Sequence, residues 1–345
     1  MVIGLTLLTL LGIGLIVSIV DDDDDGDTNE ADAVAEPEGV EVAGTEDGET
    51  IDGTEGTDLL IGGEGEDTIS GADSSDTIEG GVGNDLIEGD AGDDRLLGQA
   101  DDDVIVGGAG DDTIAGGQGD DFAQGRGGDD RLTGSLGRDW LEGGDGSDTA
   151  LAGFGEDTLV GGAGADSLEG GGGNDLIMGG DLSLIDLSPS DLAGLRDGTL
   201  SFVQAAGLGG IDDNILEEPN AEDNAADTLS GGDGNDALLL GSGDIATGGA
   251  GEDEFGIFAD ALSGDQGPST ITDYVPGEDF IFVLADPEAP VAANISVLTA
   301  GDDAIVALNG QPVTVVSGAA GLLSTDDIAF ISGIPIPVLD PNTTV

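Results

Sequence analysis

The fold is decided by a nine-residue unit that residues 107–124 contain twice, as GGAGDDTIA and then GGQGDDFAQ. The sixth residue of each copy is aspartate, and from Asp58 to Asp175 an aspartate recurs every nine residues, fourteen times without a slip. An apolar residue follows two positions after each of these aspartates. Glycine lies two positions before each of them, except at Ser74 and Asp101. The repeating unit is therefore GGxGxDxUx, where U is apolar.

Each half of this unit has its own conformational preference. Glycines at fixed positions allow left-handed backbone at little steric cost, so GGxGxD predicts a tight turn with several carbonyl groups pointing the same way. The remaining xUx predicts a three-residue strand with its central side chain inward and its flanking side chains, often threonine, outward. Two turns and two strands then close one coil of about 18 residues, the length of two units. The sequence predicts an all-β parallel β-roll whose stacked coils bury a thin ladder of leucine and isoleucine.

Composition limits the chemistry that such a roll can perform. The chain has 75 acidic residues against five arginines and no lysine, which gives a formal net charge of -70. Nucleic acid is excluded as a partner, because its recognition needs a basic surface. The chain contains no cysteine or histidine, so disulfides, thiolate or imidazole metal sites and Ser-His or Cys-His catalytic pairs are also excluded. Oxygen ligands remain, and they favour Ca²⁺, Mg²⁺ or Mn²⁺ over zinc or copper.

Stacking the coils places the aspartates in columns along the two edges of the roll. Each carboxylate then neighbours the equivalent carboxylate one coil above and one coil below. Without a cation, these like charges repel one another in a partly desolvated groove and oppose stacking. With Ca²⁺, carboxylate and carbonyl oxygens form the kind of cage that this ion requires. We therefore expect calcium binding and folding to be one event.

The repeat unit resembles that of the RTX, or hemolysin-type, calcium-binding proteins. The resemblance implies a right-handed parallel β-roll, multiple Ca²⁺ ions, and a side-chain ligand at the sixth position of each unit, with turn carbonyls completing the shell. Turns 71–76 and 98–103 each lack two of the expected glycines, which predicts poorer ion sites there. The candidate ligands are Asp58, Asp67, Asp76, Asp85, Asp94, Asp103, Asp112, Asp121, Asp130, Asp139, Asp148, Asp157, Asp166, Asp175, Asp227, Asp236, Asp244 and Asp253.

The N-terminal region differs in composition from the repeats. Residues 2–20 are an uncharged apolar run long enough, as a helix, to cross a bilayer core, so residues 1–20 are predicted to be an apolar helix that contacts the membrane. The run is either an uncleaved anchor or a removed signal peptide, since no base precedes it and the site after Val20 is a poor cleavage site. Residues 21–50 are acidic, lack a hydrophobic period and are predicted to be a disordered spacer.

The remaining segments follow from where the repeat stops and resumes. Residues 51–180 are the predicted roll, residues 181–222 an insertion, and residues 223–255 a second, shorter RTX segment. Beyond it glycine thins and alternating apolar residues predict a β-rich C-terminal cap over residues 256–345, which a roll needs to cover its last coil. Within the cap, strands are predicted near residues 295–299, 303–308, 312–316 and 327–332.

Three functions are compatible with these features. The favoured hypothesis is a non-enzymatic, calcium-loaded structural or adhesive protein that is secreted or held at the cell surface. The alternative is a non-catalytic part of a secreted RTX enzyme, a hydrolase or an epimerase, since RTX repeats often accompany such enzymes. An adhesin would bind a surface partner such as cell-envelope polysaccharide, and Phe122 and Trp140, which are predicted to point outward, are candidate contacts.

Overall fold

The computed structural model describes residues 39–180, 225–258, 267–285 and 295–332. The apolar segment at residues 1–20, the spacer up to residue 38 and the insertion at residues 181–222 lie outside these residues. Among the described residues, no helix is long and apolar enough to cross a membrane.

The chain alternates from strand to strand between two sheets. One sheet has the strand order β1-β3-β5-β7-β9-β11-β13-β15-β17-β19-β21-β25-β24-β23, and the other has the order β2-β4-β6-β8-β10-β12-β14-β16-β18-β20-β22-β26. The strands are β1 Glu41–Ala43, β2 Thr50–Asp52, β3 Leu59–Glu64, β4 Thr68–Asp73, β5 Thr77–Val82, β6 Leu86–Ala91, β7 Arg95–Ala100, β8 Val104–Ala109, β9 Thr113–Gln118, β10 Phe122–Gly127, β11 Arg131–Leu136, β12 Trp140–Asp145, β13 Thr149–Phe154, β14 Thr158–Ala163, β15 Ser167–Gly172, β16 Leu176–Gly180, β17 Thr228–Asp233, β18 Ala237–Leu240, β19 Ile245–Ala250, β20 Glu254–Phe258, β21 Ser269–Ile271, β22 Phe280–Ala285, β23 Ile295–Ala300, β24 Asp303–Leu308, β25 Gln311–Val316 and β26 Ile328–Ser332.

From β1 to β22, neighbouring strands of each sheet are parallel and one coil apart. In β9 and β11, for example, Ile114 pairs with Leu132, an offset of 18 residues. Most repeat strands are six residues long, twice the predicted length, because the first glycines of the next turn continue the hydrogen-bonded ladder. The predicted all-β parallel β-roll is therefore confirmed, with longer strands than the sequence pattern indicated.

The core is a single row of side chains from each sheet. The apolar residue of every repeat from Leu60 to Phe255 points inward and is at most 1% exposed. Alanine replaces the large residue at Ala123, Ala150 and Ala246, and all three are also fully buried. Since so thin a core buries little area per residue, contacts along the turns have to contribute much of the stability.

The roll is continuous where the sequence pattern is interrupted. Strand β15 pairs with β17, and β16 pairs with β18, across the gap between Gly180 and Ala225. The predicted second RTX segment therefore stacks directly on the first, and the insertion joins two successive strands without breaking the sheets. The roll also starts earlier than predicted, because β1 pairs with β3 although Glu41–Ala43 lies within the predicted spacer.

The C-terminal strands close the roll in a different way. Strand β25 pairs with β21 in parallel, and β24 and β23 then add antiparallel hairpins. In the other sheet, β26 pairs with β22. A short 3₁₀ helix, Thr325–Asp327, precedes β26 and is held by a capping box between Ser324 and Asp327. These strands lie where alternating apolar residues predicted them.

The two aromatic residues predicted to point outward are not exposed contacts. Phe122 is 1% exposed, and Trp140 is only partly exposed. Trp140 packs against a second apolar cluster formed by Val160, Met178 and Leu239, which lies apart from the main core. The prediction of an exposed aromatic surface is therefore wrong for Phe122, because the outer side of this sheet is itself apolar.

Candidate metal centre

The turns owe their shape to residues with positive φ at the second and fourth positions of each unit. Gly108 and Gly110 have φ of +126° and +130°, a region that L side chains rarely adopt. A methyl group on Gly108 would also lie 2.0 Å from the carbonyl oxygen of Asp90 in the preceding coil. Glycine is therefore favoured at this position for two reasons, the left-handed backbone conformation and the close stacking of the coils.

The two turns that lack glycines keep the same backbone conformation. Ala72 and Ser74 have φ of 82° and 79°, and Gln99 and Asp101 have φ of 88° and 77°. The aspartates of these turns occupy the same places as those of the regular turns. The backbone of these turns is therefore like that of the others, at a cost of about 1–2 kcal/mol for each non-glycine residue in left-handed conformation. The poorer ion sites predicted there stay a prediction.

All of the predicted aspartates lie in two continuous columns, one on each edge of the roll. In each column, Oδ1 of one aspartate accepts the backbone N–H of the column aspartate one coil earlier, with N···O distances of 2.7–3.1 Å. Asp166 and Asp227, on either side of the insertion, make the same bond at 2.9 Å. The column residues are between 0% and 3% exposed.

The second carboxylate oxygen of most column residues is buried and makes no hydrogen bond. A buried carboxylate oxygen without a partner has a high desolvation cost. The role of a cation ligand would explain why these oxygens are buried. Such an oxygen is the Oδ2 of Asp67, Asp76, Asp94, Asp103, Asp112, Asp121, Asp130, Asp139, Asp148, Asp157, Asp175 and Asp236.

The first glycine of each unit brings a carboxylate and a carbonyl oxygen to the same place. A methyl group on Gly107 would lie 2.2 Å from Asp112 Oδ2 and 2.9 Å from the carbonyl oxygen of Gly125, one coil later. At Gly143 the corresponding distances are 2.2 Å to Asp148 Oδ2 and 2.5 Å to the Gly161 carbonyl oxygen. Two kinds of oxygen ligand therefore converge beside the Cα of Gly107 and of Gly143.

The electrostatic state of the columns is unfavourable without a cation. Burial raises the pKa of Asp112 to about 7 and that of Asp103 to about 9, from an ordinary value of 3.8. The backbone N–H of the preceding coil lowers each pKa, and the neighbouring column carboxylates raise it again. Burial therefore disfavours the ionised form of these carboxylates, and a bound cation would favour it.

The donor set fits a hard divalent cation. Among the described residues, no group of three or more Asp or Glu side chains is close enough to hold an ion by side chains alone, so backbone carbonyls have to complete the shell. Buried carboxylates combined with turn carbonyls are the ligands that Ca²⁺ prefers, at six to eight oxygens per ion. A bound Ca²⁺ would supply the positive charge that neutralises each column.

One column has, at both of its ends, an aspartate whose second oxygen is already satisfied. Asp58 Oδ2 accepts the N–H of Thr54 at 2.6 Å, and Asp244 Oδ2 accepts the N–H of Gly241, also at 2.6 Å. The predicted ligands Asp58 and Asp244 therefore lie in a column but do not offer an unpartnered oxygen. At Asp244 the cause is a turn that is one residue shorter than the others.

One column residue was missed by the sequence reasoning. Asp279 Oδ1 accepts the N–H of Asp253 at 3.1 Å and extends that column by one coil. Its Oδ2 accepts the N–H of Val275 at 2.6 Å, so it closes the column as Asp58 opens the other. The signal was present, since Gly277 precedes it by two residues and Ile281 follows by two, but the interval of 26 residues from Asp253 hid it.

Comparison with known families agrees with this geometry. The family described as RTX calcium-binding nonapeptide repeat (4 copies) matches eight stretches of the chain, seven of them overlapping or close together and one separate. They are residues 44–78, 52–87, 70–105, 88–123, 115–150, 124–159, 151–181 and 223–244.

The chain belongs to the RTX calcium-binding repeat family. Calcium binding follows from membership of this family, and the RTX roll itself is a structural domain. No curated protein matches the chain. The family matches resume at residue 223, in agreement with the continuous stacking of the RTX roll across the insertion.

Proposed function

We propose that this RTX protein is a non-enzymatic, secreted or cell-surface structural protein whose roll folds when its two aspartate columns bind calcium. The observation that carries the proposal is the set of buried, unpartnered Oδ2 atoms that recurs in most turns, in several of them beside a backbone carbonyl of the next coil. A column of carboxylates with raised pKa is costly to bury, and only cation binding or protonation offsets that cost.

The identity of the column residues further supports a role for charge. The column position is aspartate in every coil from Asp58 to Asp253, although asparagine would supply the same Oδ1 acceptor to the backbone. If the hydrogen bond were the only function, an uncharged amide would serve and would avoid the electrostatic repulsion. The retained charge therefore favours a cation ligand at this position.

Circular dichroism during a calcium titration tests the proposal. At pH 7.5 in excess chelator we expect a disordered chain, and on addition of calcium a β-rich spectrum with several ions bound per chain by calorimetry. Magnesium at the same concentration is the control, because Mg²⁺ demands a smaller and more regular shell. A spectrum that is already β-rich in chelator, and unchanged by calcium, would contradict the proposal.

The proposed location follows from affinity. Extracellular calcium modules bind with Kd on the order of 10⁻⁴ to 10⁻³ M, so such sites fill outside the cell and stay empty at cytosolic calcium. Protease added to intact cells should remove the repeats, and full protection would contradict the location.

An adhesive role is tested by a pull-down with cell-envelope polysaccharide, in calcium and in chelator. The absence of enzyme activity is tested by hydrolase and epimerase assays with calcium present.

A further inference from the structure

A second ladder of side chains runs beside each aspartate column, at the residue immediately before the column aspartate. On one edge, Asp93 Oδ1 accepts the N–H of Asp111 at 3.0 Å, and Asp111 Oδ1 accepts the N–H of Asp129 at 2.8 Å. On the other edge, Asp102 Oδ1 accepts the N–H of Asp120 at 2.8 Å. The side chains of Asp93, Asp111 and Asp129 are exposed, unlike those of the columns.

The two ladders reach in opposite directions along the roll. Asp112 Oδ1 accepts the N–H of Asp94 in the preceding coil at 2.8 Å. Its neighbour Asp111 accepts the N–H of Asp129 in the following coil, also at 2.8 Å. Where both positions carry an acceptor, a pair of adjacent side chains therefore ties a turn to both of its neighbours.

The outer position differs from the column in the side chains that occupy it. Asn84, Asn174 and Asn235 stand there and accept the N–H one coil later at 3.2, 2.9 and 3.0 Å. Ser75 Oγ accepts the N–H of Asp93 in the same way, at 3.3 Å. The outer ladder thus uses aspartate, asparagine or serine, which share a short hydrogen-bond acceptor and differ in charge.

We propose that the aspartate, asparagine or serine that precedes a column aspartate is a positioning residue, which acts through its acceptor oxygen and not through its charge. It holds successive turns in register, so that the column carboxylate and the glycine carbonyl of the next coil already face one another when calcium binds. The inference rests on the proposed calcium binding by the columns, which Asp112→Asn tests separately.

Three variants separate the acceptor from the charge. Asp111→Ala removes both, Asp111→Asn removes only the charge, and Asp145→Ala removes one exposed charge outside both ladders. Unfolding in urea at fixed, saturating calcium gives the unfolding equilibrium constant of each. We expect Asp111→Ala to raise this constant about three- to tenfold, as for one lost hydrogen bond between coils. Asp111→Asn and Asp145→Ala should each stay within about twofold of the parent.

The same variants without calcium provide a readout independent of ion binding. At acidic pH, where protonation permits the roll to form, Asp111→Ala should again be less stable to urea than the parent, and Asp111→Asn should be as stable as the parent. Equal losses in the alanine and asparagine variants would overturn the proposal in favour of a role for charge. An Asp111→Ala variant that is as stable to urea as Asp145→Ala would also overturn the proposal.

Two further variants keep the outcome clear. If Asp111→Ala does not fold, an Asp111→Asn variant that folds like the parent supports the proposal, and one that also fails to fold refutes it. Asn84→Asp should leave both the unfolding constant and the number of bound ions unchanged, and an additional bound ion would refute it. If Asp112→Asn loses an ion and Asp111→Ala has the same unfolding constant as the parent, calcium binding by the columns is upheld. Only the positioning role of the outer ladder is then rejected.

Discussion

Replacing Asp112 with asparagine should have opposite effects with and without calcium. Asparagine keeps the Oδ1 acceptor for the N–H of Asp94, at 2.8 Å in the native roll, and removes the charge at Oδ2. Without calcium, the variant no longer buries a carboxylate whose pKa is raised to about 7. With calcium, it lacks the charged ligand. A residue that serves only to hydrogen-bond the backbone would show neither effect.

The magnitude follows from the pKa of Asp112. A rise from 3.8 to about 7 means that the ionised group destabilises the folded roll by on the order of 4 kcal/mol above pH 7, at 1.36 kcal/mol per pKa unit. The calcium-free variant should gain stabilisation of that order. With calcium tenfold above Kd, each lost site costs about 1.4 kcal/mol, and the cost grows with the calcium concentration.

Two titrations measure these effects. In chelator, the pH at which β structure disappears on going from acid to alkaline solution should be higher for Asp112→Asn than for the parent. At pH 7.5, calorimetry should count fewer bound calcium ions in the variant. Asp111→Asn is the matched control, with the same charge change at the adjacent exposed residue. A variant that binds as many ions as the parent, or that is destabilised equally in chelator and in calcium, would refute the reasoning.

Three further predictions concern the turns and the columns. Gly107→Ala should destabilise the calcium-loaded roll by about 1–3 kcal/mol in urea unfolding, because its methyl group would lie 2.2 Å from Asp112 Oδ2; an unchanged unfolding midpoint would contradict this. Ala72→Gly should stabilise the roll by about 0.5–1 kcal/mol by relieving a φ of 82°, whereas Ala109→Gly, which lacks positive φ, should destabilise it by a similar amount. Without calcium, the roll should be most stable below about pH 4 and lose that stability as pH rises through about 6 to 9. The reason is that the pKa values of the column aspartates are higher in the folded roll than in the unfolded chain. Circular dichroism in chelator measures this stability, and a stability that rises with pH would contradict the prediction.

The sequence was sufficient for the roll, its inward side chains and the alignment of its repeat aspartates in columns. Each of these features repeats with the nine-residue period, so the position of one unit determines that of the next. Leu60, Ile78 and Leu96 are buried, and the aspartates two residues before them form one column, because a strand alternates its faces regardless of its distant contacts.

Features that depend on which coils meet could be decided only by the tertiary structure. The stacking of β15 on β17 shows that the insertion leaves the register intact, and the pairing of β20 with β22 brings Asp279 into a column despite its irregular spacing. The opposite directions of the Asp111 and Asp112 bonds could not be predicted either. Adjacent aspartates are chemically identical in the sequence. Only the positions of the backbone N–H groups above and below each turn determine which carboxylate bonds to the preceding coil and buries its Oδ2, and which one bonds to the following coil.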